Sequence, residues 1–385
     1  MTTSRDIDEG FLRRALDLAA HGVGLTSPNP CVGAVVVDAN RTIVGSGSHT
    51  YDGLKHAEIL AIQQAGEKAR GATLYINLEP CSHQGRTAPC TDAIIAARIS
   101  RVVASMQDPN PLVSGQGFAK LRNAGVNVSC GVLEEQAKAL NESFAKYIRH
   151  HTPLVTLKAA MTLDGKIAPP PDRSLSPVRV PGTRAPWITG ESARAHVQEL
   201  RHQNDAILVG VGTVIADDPL LTDRSGRPRR RSLLRVILDS RLRLPLNSRL
   251  AKTAQDDVLV LCSFAEEKKK KQLLKLGIRV QQLPTATSDG HPEMPAVLRY
   301  LGELQITSLM IEGGAMVNWA ALSTGIVDKL FLYYAPRILA GTASVPFAGG
   351  AGFTSVNDAA CVKSIHLHQF GEDFAIEGYL KNPYV

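Results

Sequence analysis

The sequence predicts an α/β protein built from two unlike domains, residues 1–150 and 151–385. Three observations carry that expectation. The chain has 385 residues, and at roughly 150 residues per domain it is too long for one ordinary core. β-Branched runs alternate with helical spacing along most of it, the pattern of sheets layered with helices. No internal repeat relates the two halves, so they are expected to differ in fold.

In the first domain, 11–20 has helical spacing. A β-branched run at 32–37 is followed by a turn at 38–41 and a second run to 47. Residues 57–65 read as a helix, 73–78 as a strand and 91–97 as a helix. Then come a strand at 102–105, a helix near 117–123 and a strand at 126–130. A polar stretch, Arg149-His150-His151-Thr152-Pro153, marks the boundary. Beyond it, strands are expected at 154–159, 206–209, 235–238, 258–261, 278–282, 308–311 and 329–334. The last two, 364–368 and 375–380, have no helical signal between them. The Pro- and Ser-rich 169–186 reads as a long loop, a kind of segment that is often functional.

Apolar residues make up 44% and charged residues 21%, ordinary globular usage that argues against disorder. No apolar run approaches membrane-spanning length. The first ten residues, MTTSRDIDEG, carry acids and no apolar core, unlike a secretory leader. A soluble, cytoplasmic protein with no membrane partner is the expectation.

The net charge is +7, which raises the question of nucleic acid. Six of the arginines fall in one run, 224–235, which holds no acid. Apart from that run the chain is close to neutral, so a nucleic-acid partner is not expected, and the run reads as a solvated loop before a strand. The EEKKKK segment at 266–271 reads as an exposed helix face. The six cysteines are scattered, without the spacing of a disulfide framework. Cys130 and Cys262 end apolar runs and read as core, as do Cys31 and Cys361. Cys81 and Cys90 lie in a polar, Pro- and Gly-rich stretch that suits ligands better than packing.

His56-Ala57-Glu58 opens a helix. After the next strand comes Pro80-Cys81-Ser82-His83-Gln84-Gly85-Arg86-Thr87-Ala88-Pro89-Cys90. One imidazole and two thiolates leave a fourth position free for water, the arrangement of a catalytic zinc. A carboxylate must then move protons, and Glu58 is placed for that. Residues i and i+2 do not share a helix face. His56 and Glu58 therefore converge only on a metal lying off the helix end.

These residues resemble the zinc-dependent cytidine and deoxycytidylate deaminase superfamily, whose signature is H-x-E … P-C-x-x-C. Here eight residues, rather than two, separate the cysteines. That spacing is similar to the deaminase half of the bifunctional riboflavin-biosynthesis deaminase–reductase family. Thr26-Ser27-Pro28-Asn29-Pro30 and Asp108-Pro109-Asn110-Pro111-Leu112-Val113 fit it as well. The resemblance implies a cytidine-deaminase-like αβα domain and places Asn29 and His49 in a pyrimidine pocket. His83 and Arg86, between the cysteines, are candidates for a substrate phosphate.

In the second domain, Ser308-Leu309-Met310-Ile311-Glu312-Gly313-Gly314 reads as strand, glycine turn and helix start. Such a junction can cradle phosphate, or it can be an ordinary turn. It lacks the G-x-G-x-x-G fingerprint, which disfavours a Rossmann fold. Leu157-Lys158-Ala159-Ala160-Met161-Thr162-Leu163-Asp164-Gly165 resembles the opening of that family's reductase domain, and so do Trp187-Ile188-Thr189-Gly190, Asp217-Asp218-Pro219 and Val236-Ile237-Leu238-Asp239-Ser240. The resemblance implies a dihydrofolate-reductase-like fold, NADPH as cofactor and a homo-oligomer formed through this domain. It assigns cofactor contacts to Ala160, Trp187, Thr213, Asp217, Ser240, Gly314, Ala315, Met316, Val317, Asn318, Trp319 and Ala320. It assigns substrate contacts to Lys158, Ala185, Arg201, Leu221, Arg224 and Glu312. Ala185 stands where the family commonly has serine. Arg201 and Arg224 suit a phosphate because a guanidinium pairs with it bidentately. The resemblance as a whole implies deamination of a phosphorylated diaminopyrimidine followed by reduction of its sugar. A nucleic-acid deaminase, a non-enzymatic zinc scaffold and a deaminase with an inactive reductase are the rival readings.

Overall fold

The computed structural model describes residues 3–85, 88–170, 187–285 and 290–385. The chain divides into two compact units. The first comprises Met1–His151 with Pro228–Arg231 and Tyr384, and the second comprises Thr152–Arg227, Ser232–Pro383 and Val385.

In the first unit, helix α1 (Ser4–Ala20) precedes strands β1 (Gly33–Val37) and β2 (Ile43–Ser48). Helix α2 (Ala57–Ala65), strand β3 (Thr73–Leu78), helix α3 (Cys90–Ala96) and strand β4 (Arg101–Met106) follow. Helix α4 (Gln116–Asn123), strand β5 (Asn127–Cys130) and helix α5 (Glu134–His150) complete it. The sheet runs β2-β1-β3-β4-β5. β1 is antiparallel to both neighbours, whereas β3, β4 and β5 are parallel.

The period-2 alternation of β1 builds two layers. Ala34 and Val36 pack with Ala57 and Ala61 of α2; Val35 and Val37 pack with Leu12 of α1. A Cβ at Gly47 of β2 would lie 2.4 Å from the Ala57 carbonyl oxygen and 2.6 Å from Leu60 Cβ. The missing side chain is what lets α2 seat so close to the sheet.

Two helices differ from the sequence expectation. α1 begins before residue 11 because Thr3 and Asp6 form a reciprocal capping box. α5 was not anticipated, and its end enters the polar stretch that marks the boundary. Arg149 and His150 occupy its last turn, where cations favour the helix dipole. Cys31 and Cys262 are buried as expected, but Cys130 and Cys361 are exposed. Cys130 closes β5, the edge strand, and Cys361 precedes an exposed strand, so neither site has a second layer to cover it.

The second unit opens with β6 (Leu154–Thr162), β7 (Lys166–Ala168), α6 (Glu191–Gln203), β8 (Ala206–Gly210), α7 (Val211–Asp217) and β9 (Leu234–Leu238). Next come α8 (Arg249–Lys252), β10 (Val258–Cys262), α9 (Glu267–Leu274), β11 (Ile278–Gln282), α10 (Met294–Glu303) and β12 (Ser308–Ile311). It ends with α11 (Ala315–Ser323), β13 (Lys329–Ala335), β14 (Val345–Pro346), β15 (Lys363–Phe370) and β16 (Asp373–Tyr379). The large sheet has the order β11-β10-β9-β8-β12-β6-β13-β16-β15, and β7 pairs separately with β14.

From β11 to β13 every neighbour is parallel. β16 and β15 return antiparallel, in keeping with the lack of a helix between them. The central strands are apolar on both faces, as a sheet covered on both sides requires. Ile207, Val209 and Ile237 enter one core, and Ala206, Leu208 and Val236 enter the other. Within α9, Leu273 is the buried residue, so its lysines form an exposed face as expected.

The arginine run is not simply a solvated loop. Arg235 lies fully buried on β9, paired with Asp257 at 2.7 Å, and Arg230 and Arg231 belong to the first unit. Most of the 169–186 segment, Ala185 included, lies outside the described residues, as does Arg86.

Candidate active sites

His56 is the N-cap of α2, yet its side chain makes no capping bond. Its Nδ1 instead faces two sulfurs, Cys90 Sγ at 3.2 Å and Cys81 Sγ at 3.5 Å. Cys81 follows the end of β3, and Cys90 is the first residue of α3, where its backbone N–H donates to Cys81 Sγ at 3.3 Å. The three ligand atoms lie within 4.8 Å of one another.

This donor set fits zinc. Bonds of about 2.0–2.3 Å to nitrogen and sulfur imply tetrahedral ligand edges near 3.6 Å. A hydrogen bond between the two thiols lowers Cys81 and pushes Cys90 up. A divalent cation bound here would favour both as thiolates. The Cys81 bond also raises His56.

Glu58 lies in the first turn of α2, 3% exposed. Its Oε2 has no hydrogen-bond partner among the described residues. Burial, reinforced by Cys81, raises its carboxyl to about 7. A buried carboxyl with an open oxygen beside three metal-donor side chains can hold a proton and pass it on.

Two loops meet beside this cluster and form a wall next to His56. Asn29 Nδ2 donates to His49 Nε2 at 3.0 Å, and His49 Nδ1 donates to the Lys55 carbonyl at 3.1 Å. The His49 ring lies edge-on to His56, 5.3 Å between centroids. Two buried amides that the sequence did not single out brace this wall. Asn77 accepts from Gly33 N and donates to Cys31 O, both at 2.9 Å. Asn141, on the unanticipated α5, accepts from Cys31 N at 2.8 Å. Glu79 was missed in the same way. Its carboxylate accepts from the backbone of Asp108, Gly115 and Phe118, which fixes the loop after β4 beside Cys81. Burial raises Asp108 to about 6, and His83 opposes that shift.

In the second unit the register explains the central cluster. Ile311 of β12 pairs with Leu157 of β6, so Glu312 and Lys158, the next residue of each strand, are neighbours. Lys158 Nζ lies 3.9 Å from Glu312 Oε2. Arg201, from α6, donates through Nε and Nη2 to Glu312 Oε1 and Oε2, each at 3.0 Å. Burial alone would raise Glu312, but Arg201 and Lys158 overcome it and hold the carboxylate at about 2. Burial lowers Lys158, against the pull of Glu312.

This corrects the sequence expectation for Arg201, whose bidentate fork is spent on Glu312 rather than open to a phosphate. The Leu221 side chain is buried in the core. Arg224 is exposed and near enough to lower Glu312 further.

The expected cofactor residues lie at or near the carboxyl ends of the parallel strands, where open α/β sheets bind ligands. Ala160 is on β6, half-buried against the core. Thr213 is on α7, and its Oγ1 would lie 3.6 Å from a Cβ at Gly314. Asp217 ends α7. Ser240 follows β9 and bonds His291 Nδ1 at 2.7 Å. Gly314 is the N-cap of α11, with no side chain over the helix start, and Ala315, Met316, Val317 and Ala320 continue that helix. Asn318 Nδ2 donates to the Phe347 carbonyl at 2.8 Å, and Trp319 packs edge-on against Phe353. Trp187 is 58% exposed, with the Arg194 guanidinium 5.4 Å from its ring, so it is not a core aromatic. A helix start with no side-chain cap and an exposed indole fit a dinucleotide.

Comparison with known proteins agrees with this division. Residues 5–106 match the cytidine and deoxycytidylate deaminase zinc-binding region, and residues 153–376 match the RibD C-terminal domain. The riboflavin biosynthesis protein RibD of Aquifex aeolicus is 42% identical, over 97% of this chain and 98% of its own length. That of Escherichia coli is 38% identical, over 96% and 98%. Among solved structures, Acinetobacter baumannii RibD superposes with a TM-score of 0.82 at 34% identity, covering 98% of this chain and 99% of its own. The deaminase/reductase of Thermotoga maritima gives 0.82 at 37%, with the same coverage. The chain therefore belongs to the RibD family of riboflavin biosynthesis enzymes, in which a zinc-dependent deaminase is joined to an NADPH-dependent, dihydrofolate-reductase-like unit.

Proposed function

We propose that the first unit hydrolyses the 2-amino group of 2,5-diamino-6-(5-phosphoribosylamino)pyrimidin-4-one, and that the second reduces the ribosyl chain of the product to ribityl. The Thermotoga maritima relative is described as a diaminohydroxyphosphoribosylaminopyrimidine deaminase and 5-amino-6-(5-phosphoribosylamino)uracil reductase. The observation that carries the reading is the buried Glu58 carboxyl, its Oε2 open, beside the His56, Cys81 and Cys90 donors.

Zinc held by His56, Cys81 and Cys90 supplies Lewis acidity that activates water at neutral pH. Glu58 takes the water's proton and delivers it to the departing nitrogen, so that a C–N bond is replaced by C–O and ammonia leaves. Asn29 and His49 orient the ring, and His83 lies on the loop that faces the phosphate. In the second unit NADPH supplies hydride. Lys158, held by Glu312, stands at the reacting sugar, and Arg224 meets the substrate phosphate. Thr213, Ser240, Trp187 and the start of α11 hold the dinucleotide.

Arg230, Arg231 and Arg235 are engaged inside the protein, which supports small anionic ligands over a nucleic-acid polymer. No helix among the described residues is long and apolar enough to cross a membrane, and we assign the work to the cytoplasm. The second unit also offers a surface for self-association, since Ile365 and Leu367 are exposed on edge strand β15.

Glu58→Gln tests the assignment. Ammonia release should fall by about 10²–10⁴, the worth of a general acid–base, while NADPH oxidation on supplied deaminated substrate persists. Loss of both together would sink the two-site reading.

A further inference from the structure

The middle of the arginine run, unlike Arg224, has no part in the proposed chemistry. Its residues 228–231 belong to the first unit, and Arg230 makes the closest contacts there. Its backbone N–H donates to the Gly24 carbonyl at 2.8 Å. Its Nη1 donates to the Ser27 carbonyl at 2.7 Å. Its Nε lies 3.4 Å from Asp52 Oδ1. Its guanidinium carbon stacks 3.5 Å from the centroid of the Tyr51 ring. Arg231 adds a bond from Nη2 to Ser27 Oγ at 3.1 Å.

These contacts fall on two loops and tie them together. Gly24 and Ser27 lead into Asn29, whose own N–H donates to the Thr26 carbonyl at 2.9 Å. Tyr51 and Asp52 follow His49, and Tyr51 N donates back to the Leu25 carbonyl at 3.1 Å. The two loops meet at the Asn29–His49 bond, next to the His56 ring. A guanidinium suits this place because its planar fork can bond a carbonyl and a carboxylate while its face covers an aromatic ring. A lysine carries the charge without the fork or the plane.

We infer that Arg230 is a positioning residue of the deaminase pocket, pinning the Asn29 loop to the His49 loop and so setting the gap into which the pyrimidine fits. The inference rests on the proposed pyrimidine deamination. Arg230 acts through backbone carbonyls and the Tyr51 ring, so it shapes ground-state binding rather than the proton transfers of Glu58.

The full-length, zinc-loaded chain is assayed for ammonia release from the diaminopyrimidine phosphate as Arg230→Ala, Arg230→Lys and Tyr51→Leu. Arg230→Ala should raise KM about tenfold with kcat within about twofold, the pattern of lost ground-state binding. Zinc content and NADPH oxidation on deaminated substrate should match the wild type. Arg230→Lys should recover less than half of the KM change, and Tyr51→Leu should raise KM in the same direction. An unchanged KM in Arg230→Ala overturns the inference, and so does full recovery by lysine. Joint loss of kcat, zinc and KM in Arg230→Ala, with no KM change in Tyr51→Leu, assigns Arg230 a structural role only and also overturns it. A wild-type chain that releases no ammonia would instead sink the functional reading.

Discussion

Arg201 grips Glu312 through two bonds of 3.0 Å each, and the Lys158 ammonium stands 3.9 Å from the same carboxylate. All three come from different elements, α6, the end of β12 and β6. The cluster ties the reductase fold to the residue we propose stands at the reacting sugar, so disturbing it should be felt both in stability and in hydride transfer.

Arg201→Ala leaves a buried carboxylate without its bidentate partner, facing only Lys158 and the more distant Arg224. Breaking a buried pair from one side costs about 3–5 kcal/mol, to be read from urea unfolding of the second unit. A shift of Lys158 by about 1 Å would slow NADPH oxidation about a hundredfold. Ammonia release should stay at the wild-type rate.

Glu312 also sets a pH dependence. Its folded carboxyl is held at about 2, below its ordinary 4.5. Between those values the unfolded state binds more protons, so the stability contribution is complete above about 4.5 and is lost as pH falls toward about 2. Urea midpoints measured across that window should decline with acid, and the decline should be shallower in Glu312→Gln.

The HxE and PC…C elements were legible in the sequence because each zinc ligand sits at the start or end of a regular element. Most strands of both sheets were legible as apolar runs bounded by turns. The partners that brace the sites were not. Asn141 reaches Cys31 across 110 positions and Arg201 reaches Glu312 across 111. A side-chain pair at such separation leaves no periodic trace, so the fork of Arg201 read as free for phosphate. α5 was missed because its last turn is polar, and Cys130 and Cys361 were misplaced because an apolar run does not reveal that its strand lies at an edge.

Metal analysis should find about one zinc per chain, as a three-ligand catalytic site requires. Cys90→Ser should lose both the metal and ammonia release while retaining NADPH oxidation on deaminated substrate. Chelation of the wild type should reproduce that pattern, and zinc should reverse it.

Gly47 tests how His56 is placed. A Cβ there would lie 2.4 Å from Ala57 O, 2.6 Å from Leu60 Cβ and 3.0 Å from Ala61 N. Gly47→Ala must lift α2 from the sheet, at a cost of about 1–3 kcal/mol for overpacking. Zinc affinity, measured by competition with a chelator, should fall with it, because His56 is the N-cap of that helix.

The most direct test supplies the diaminopyrimidine phosphate to the zinc-loaded chain with and without NADPH and identifies the products by mass and ammonia assay. Without NADPH, the account predicts one ammonia per substrate and a product that keeps its ribosylamino group. With NADPH, that product should gain two hydrogens as one NADPH is oxidised. Reduction without ammonia release, or ammonia release only when NADPH is present, would contradict two separate sites acting in this order.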